Sequence, residues 1–347
     1  MNYTIIKKIP SLETIIQKIP LSHAGYRQIE EDRGQVKDIL SGRDTRLLMI
    51  VGPCSAWPKE AVLKYANKLA GLNAKVKDAL KIVMRVYIQK PRTTKGWTGP
   101  INQPDPLGKP DIEAGIEYTR DMMIKVINMG LPIADEALFT HNAKGFIELL
   151  SWVAIGARSS EDQEHRIFAS GIDCPVGLKN PTHGSLVVGV NSVVAAQYKH
   201  VAVLDGYEVQ THGNDYAHLV LRGSNNHPNY SIKHLEEVKN NMQMHEIKNP
   251  AVMIDASHDN SIIEGKKDYR SQPKIILEVL QNLTERPDLK KLVKGFMLES
   301  FLKAGNQKLD SKNPTAIDNE GLSITDPCLG WEQTEEILLK IASEHTK

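Results

Sequence analysis

From about residue 45 onward, short runs of apolar, β-favouring residues alternate with stretches whose apolar positions recur at helical spacing. Eight runs stand out: LLMIV (47–51), KIVMRVY (81–87), PIADEA (132–137), VAIGA (153–157), PVGLK (175–179), HLVLR (218–222), AVMIDA (251–256) and GFMLES (295–300). Between them Val62, Tyr65, Ala66 and Leu69 fall at i, i+3, i+4 and i+7, and Ile276, Val279, Leu280 and Leu283 repeat that spacing. Such stripes read as helix faces packed on a sheet. Asp111–Met129 reads as a further helix, ended by Gly130 and followed by Pro132. The alternation is that of an α/β protein with parallel strands.

Eight strands, each followed by a helix over about 300 residues, predict a (β/α)8 TIM barrel first and an open doubly wound sheet second. The chain lacks the Gly-rich dinucleotide fingerprint and the P-loop that would favour the second. No Pro/Ser-rich linker divides it, so the expected organisation is an N-terminal arm over 1–44 and one catalytic barrel over 45–347. The arm holds a short echo, Thr4-Ile-Ile-Lys-Lys-Ile-Pro10 and Thr14-Ile-Ile-Gln-Lys-Ile-Pro20, too few copies for a solenoid. Turn residues and alternation over Lys199–Asn214 suit an inserted β-hairpin.

Charge narrows the function. Among 347 residues, 43 Lys and Arg offset 42 Asp and Glu, leaving a net +1. That balance argues against nucleic acid or an anionic membrane as partner. With 41% hydrophobic and 24% charged residues the chain is an ordinary globular protein, long enough to bury a large core. Cys54, Cys174 and Cys328 form no disulfide framework or CxxC pair. The opening residues lack an apolar run of signal-peptide length, and no later stretch approaches a membrane span, so a cytoplasmic location is expected.

In a barrel the chemistry sits at the C-terminal strand ends. These ends are rich in ionisable groups: Gly52-Pro-Cys-Ser55, Arg85 with Gln89-Lys-Pro-Arg-Thr-Thr94, Asp135-Glu136, Gly156-Ala-Arg158, Lys179-Asn180, Arg222-Gly223, Asp255-Ala-Ser-His258 and Glu299-Ser300. Taken singly, each is more often a surface charge or a core residue. Together they sort into two sets. Cys54, His258, Glu299 and the later Asp326 offer S, N, O and O to a borderline divalent ion such as Mn, Fe, Co or Zn. Arg85, Lys90, Arg92, Arg158, Lys179 and Arg222 would repel one another unless anions, above all substrate phosphates, sat among them.

At these residues the chain resembles the type I, microbial feedback-regulated 3-deoxy-D-arabino-heptulosonate-7-phosphate (DAHP) synthases. The resemblance rests on GPCS (52–55), MRVYIQKPRTTKGWTG (84–99), SWVAIGARSSEDQEHR (151–166), SGIDCPVGLKN (170–180), LRGSNNHPNYS (221–231), VMIDASHDNS (252–261), MLESFLKAGNQ (297–307) and SITDPCLGWE (323–332). It implies a metal-dependent condensation of phosphoenolpyruvate with erythrose 4-phosphate, the entry step to aromatic amino acid synthesis. The implied metal ligands are Cys54, His258, Glu299 and Asp326, holding Mn2+ first, with Fe2+, Co2+ or Zn2+ as alternatives. Arg85, Ala157, Arg158, Lys179 and Arg222 would bind phosphoenolpyruvate, and Lys90, Arg92 and Thr93 the aldose phosphate. Lys90 would meet the developing alkoxide and Glu136 would orient water. A homodimer or homotetramer is also implied.

Some positions depart from the family pattern. Trp57 stands where a His is common, Gln89 where a Glu is common, and Asn180-Pro-Thr-His183 replaces a loop with Gly and Asp. These touch aldose specificity, and a paralogue using another aldose or amino sugar phosphate is the alternative enzyme. A non-catalytic phosphometabolite-binding barrel is the alternative outside enzymes. Ala137-Leu-Phe139 lacks an acidic residue of the family's effector pocket and Asp173 occupies an effector-choosing position, so weak or altered feedback by Phe, Tyr and Trp is expected. Cys328, two residues past Asp326, has two readings: a neighbour of Cys54 whose oxidation affects activity, or a buried apolar thiol.

Overall fold

The computed structural model describes residues 1–92, 95–138, 145–204, 206–225, 227–310 and 312–345, with every side chain there except that of Pro314. The chain begins with α1 (Leu12–Lys18) and α2 (His23–Ser41), capped by Ser11 and Ser22, whose hydroxyls accept the N–H groups of Thr14 and Gly25. It continues through β1 (Leu47–Gly52), α3 (Lys59–Val76), β2 (Leu80–Arg85), α4 (Ile112–Asn128), β3 (Ile133–Glu136), β4 (Trp152–Ile155), α5 (Gln163–Gly171), β5 (Val176–Lys179) and α6 (Leu186–Gln197). The remainder holds β6 (Val201–Leu204), β7 (Tyr207–Gln210), β8 (His218–Leu221), α7 (Ile232–Met244), β9 (Val252–Asp255), β10 (Ile262–Ile263), β11 (Lys266–Lys267), α8 (Gln272–Leu283), α9 (Pro287–Lys290), β12 (Val293–Glu299) and α10 (Trp331–His345).

Strands β1, β2, β3, β4, β5, β8, β9 and β12 pair in parallel and close through the β1–β12 ladder. The architecture is therefore the expected (β/α)8 barrel, not an open sheet, and all eight apolar runs are its strands. The helix expected over 111–129 is α4, one residue shorter at each end. Asp111 is its cap, its carboxylate accepting the Ala114 N–H at 3.2 Å. The expected hairpin is β6–β7, antiparallel from Val201 opposite Gln210 to Leu204 opposite Tyr207. The echo in the arm does not become a structural repeat. Its second copy is helical behind the Ser11 cap, whereas the first has no helix and lies with Lys7 3.1 Å from Asp111 and 3.0 Å from Glu113 on α4.

The helix stripes pack where periodicity placed them, with Val62, Tyr65, Ala66, Leu69, Ile276, Val279 and Leu283 buried and Leu280 partly so. Inside the barrel, Leu48, Ile50, Val83, Trp152, Met253 and Met297 form one buried cluster with Val36, Ile39 and Leu40 of α2. Trp152 fits because position 177 is glycine: a Cβ there would stand 2.2 Å from its ring. Helix α2 thus closes the N-terminal end of the barrel, where Lys81 of β2 meets Asp32 at 2.5 Å in a buried pair. The opposite end, where the strands finish, is left for chemistry.

Candidate active site at the strand ends

Parallel pairing sets Gly52 opposite Glu299, so the turn after β1 carries Cys54 beside the end of β12. Bridges pair Ser300 with Leu329 and Gly305 with Cys328, which returns Asp326 to the same place. The Cys54, Glu299 and Asp326 donor atoms lie within 4.8 Å of one another, the first two buried and the third half-buried. Two ligands on one ion, at about 2.0–2.3 Å each, stand at most about 4.5 Å apart, so the trio is a near fit to a single cation. A soft sulfur with two carboxylates suits a borderline divalent metal.

His258, the fourth ligand expected, stands outside this trio. Its Nδ1 is 2.8 Å from Oδ2 of Asp255 and 2.8 Å from Oγ of Ser257, and its φ of 54° is unusual for a residue with a side chain. Burial lowers its pKa against the opposing pull of Asp255, which favours the neutral imidazole a metal requires. Burial alone would raise the Glu299 and Asp326 pKa values. His258 and Arg85 outweigh it at Glu299, and Lys267 and His258 at Asp326, so both carboxyls sit below their ordinary values. Burial, then Glu299, raises the Cys54 thiol, with Lys90 opposing.

Four of the six expected cations converge on this end and are buried: Arg85, Lys90, Lys179 and Arg222. Arg85 donates from Nη2 to Glu299 at 3.0 Å and lies over the Tyr87 ring at 4.0 Å. Lys179 is 3.3 Å from Asp255, and Arg222 donates from Nη1 to Asp259 at 2.6 Å. Buried Nη1 of Arg85 and Nε of Arg222 have no hydrogen-bond partner among the described residues. Such orphaned guanidinium N–H groups are costly unless an anion meets them. Arg92 and Arg158 are exposed and Ala157 is half-buried, while Thr93 and Phe139 fall outside the described residues.

Lys90 donates to the Cys54 carbonyl at 2.7 Å and to its Sγ at 3.2 Å. Burial lowers its pKa, but Cys54, Glu299 and Glu136 outweigh that and keep it an ammonium. Its loop is held by Lys90 N–H to Thr98 O at 3.0 Å, by Ile88 N–H to Asp135 at 3.1 Å, and by Trp57, whose indole donates to Pro104 O at 2.9 Å. Glu136 is buried at the end of β3, and Gly156 makes room for it: a Cβ there would fall 2.1 Å from Oε1.

The fold adds groups that the candidate set omitted. Lys267 of β11 meets Asp326 at 2.6 Å, Asp259 holds Arg222, and Asp255 holds both His258 and Lys179. Asp255 stood at a strand end and was visible as such; Lys267 sits in a two-residue strand with no sequence signal. Cys328 is fully buried, as a core thiol would be, and it also lies close enough to Glu299 and Cys54 that both, after burial, push its thiol up. Among the described residues no helix is long and apolar enough to cross a membrane.

Residues 19–339 match the model of the DAHP synthetase I family. The Tyr-sensitive phospho-2-dehydro-3-deoxyheptonate aldolase of Salmonella typhimurium is 41% identical over 334 residues, 95% of this chain and 91% of that one. The Phe-sensitive enzyme of Escherichia coli is 38% identical, over 97% of this chain and 95% of its own. A solved phospho-2-dehydro-3-deoxyheptonate aldolase from Francisella tularensis superposes with a TM-score of 0.91 at 35% identity, covering 99% of both chains. Sequence, barrel and strand-end chemistry agree, and the chain belongs to the DAHP synthetase I family.

Proposed function

We propose that this mouth condenses phosphoenolpyruvate with D-erythrose 4-phosphate and water to give DAHP and phosphate, the first step of aromatic amino acid synthesis, with its residues divided between metal and anions. The observation that carries the reading is the convergence of four buried cations, two with orphaned N–H groups, on a thiol and two carboxylates. Cys54, Glu299 and Asp326, joined by His258 that Asp255 orients, would hold one divalent ion, Mn2+ first and Fe2+, Co2+ or Zn2+ as alternatives. That ion, when bound, supplies Lewis acidity at the aldehyde oxygen.

The chain's own groups do the rest. Arg85, Arg158, Lys179 and Arg222, with the Ala157 backbone, hold the phosphate and carboxylate of phosphoenolpyruvate, while Lys90, Arg92 and Thr93 hold the aldose phosphate. Fixed cations bring C3 of the enol to the aldehyde carbon and stabilise charge without reorganising. Lys90 Nζ donates to the oxygen that becomes an alkoxide. Glu136 orients the water that adds at C2 before phosphate leaves. Trp57 pins the aldose-binding loop through Pro104, a basis for altered aldose choice. Asp173, already paired with Lys37 at 2.6 Å, is consistent with weak or altered feedback by Phe, Tyr and Trp.

The exposed apolar residues Val201, Val203 and Tyr207 on the β6–β7 hairpin support assembly as a homodimer or homotetramer. A cytoplasmic location, without nucleic acid or membrane as partner, completes the reading. The deciding assay follows loss of the enol absorbance of phosphoenolpyruvate with several aldose phosphates, with and without chelator. Turnover with erythrose 4-phosphate that chelator abolishes is expected. Preference for another aldose would identify the paralogue, and ligand binding without turnover would identify a sensor.

A further inference from the structure

A cavity of about 1110 Å³ opens at the end of the barrel opposite the strand-end site, between the C terminus of α2, the start of β12 and helices α8, α9 and α10. Glu299 lies five residues beyond Lys294 on β12, about 16 Å along the strand, so the two regions are separate. The wall is apolar where Leu40, Leu277, Leu280 and Ile341 line it. Four lysines also line it: Lys290, Lys291, Lys294 and Lys340. None of the four ammonium groups has an ion-pair partner among the described residues. Of the two lining carboxylates, Asp44 is taken by Arg46 at 2.6 Å, which leaves Glu344 against four cations.

Lys294 is the informative one. It is half-buried, and its Nζ lies against Gly42, whose Cβ position is only 3.3 Å away. The C-terminal end of α2, which Gly42 caps, favours a cation there through its dipole but brings no carboxylate. Burial lowers the Lys294 pKa with no charged neighbour to oppose it. A half-buried ammonium against an apolar wall loses part of its hydration, which a ligand's anionic head would replace. Apolar surface and unpaired charge together specify the ligand: an apolar body with an anionic head. At about 1110 Å³ the cavity lies just above the range of about 300–1,000 Å³ typical of small-molecule sites and so has room for such a ligand.

We propose that this cavity is a second ligand site, binding a small amphipathic organic anion whose carboxylate, sulfonate or phosphate head pairs with Lys294 and whose apolar body lies on α8 and α10. The test uses 8-anilinonaphthalene-1-sulfonate as probe, titrated by fluorescence into the metal-loaded enzyme with saturating phosphoenolpyruvate. Saturable binding is expected, weakened about tenfold or more by Lys294→Met and also by Leu280→Glu, which leaves Lys294 in place but sets a like charge against the anion. The neutral analogue N-phenyl-1-naphthylamine should bind wild type and Lys294→Met alike. Unchanged sulfonate affinity in both variants, no saturable binding while phosphoenolpyruvate saturates the strand-end site, or a neutral analogue that binds as tightly as the sulfonate would each overturn the proposal. Circular dichroism melts establish that each variant is folded.

Discussion

Nζ of Lys267 lies 2.6 Å from Oδ2 of Asp326, so a cation from the small β10–β11 hairpin sits on one of the three clustered donor groups. That ammonium neutralises the carboxylate and opposes a second positive charge at the same oxygen. Lys267→Met should therefore tighten binding of a divalent ion by about fivefold, read by competition with a fluorescent chelator. Unchanged or weaker affinity would mean that Lys267 orients Asp326 rather than competing for it.

Lys90 is a buried cation beside Cys54. It reaches the carbonyl and the sulfur of Cys54, and in the proposed reaction it meets the developing alkoxide. Lys90→Met should lower kcat by about a hundredfold or more while metal stoichiometry, measured by elemental analysis, stays the same. Intact turnover in the metal-loaded variant would remove Lys90 from the chemistry.

Gly156 offers a steric test of Glu136. The β-carbon of alanine there would fall 2.1 Å from Oε1, and the end of a flexible side chain moves more easily than the backbone. Gly156→Ala is expected to displace the carboxylate at little cost in melting temperature and to lower kcat to the level of Glu136→Gln. A fully active Gly156→Ala would show that the carboxylate position does not matter.

The barrel and the strand-end placement of most candidate residues were legible in the sequence because both depend on short-range pattern. Each strand is a local apolar run, and counting eight of them put a closed barrel ahead of an open sheet. Once Gly52 faces Glu299, the meeting of Cys54 and Glu299 needs no further information. Contacts made by loops were not legible. Lys267 reaches Asp326, and Asp259 reaches Arg222, only through turns whose course no periodicity encodes. The ring of His258 turns its Nδ1 toward Asp255, a choice set by a left-handed backbone at a residue with no glycine to announce it. Nor did the sequence reveal that α2 closes the barrel floor, because Val36, Ile39 and Leu40 make only a one-turn apolar stripe that does not say which end of the barrel it covers.

The Trp152–His218 pair inside the barrel makes stability depend on pH. Nε2 of His218 accepts from the Trp152 indole at 3.1 Å, and its Nδ1 lies 2.9 Å from the Tyr216 carbonyl, which fixes a neutral ring with the proton on Nδ1. Burial pushes its pKa down to about 4. In the unfolded chain the ring takes up a proton near its ordinary value of about 6.5, so below that pH the unfolded state binds more protons than the folded one. Stability contributed by the neutral ring is thus full above pH 6.5 and is lost as pH falls toward 4. Between pH 7 and pH 5 the loss is about 2 kcal/mol, from roughly one and a half units of differential protonation. His218→Gln, which does not titrate, should be less stable at pH 7 yet show a smaller drop to pH 5 by about that amount in urea unfolding curves. Equal drops in wild type and variant would assign the acid sensitivity to other groups.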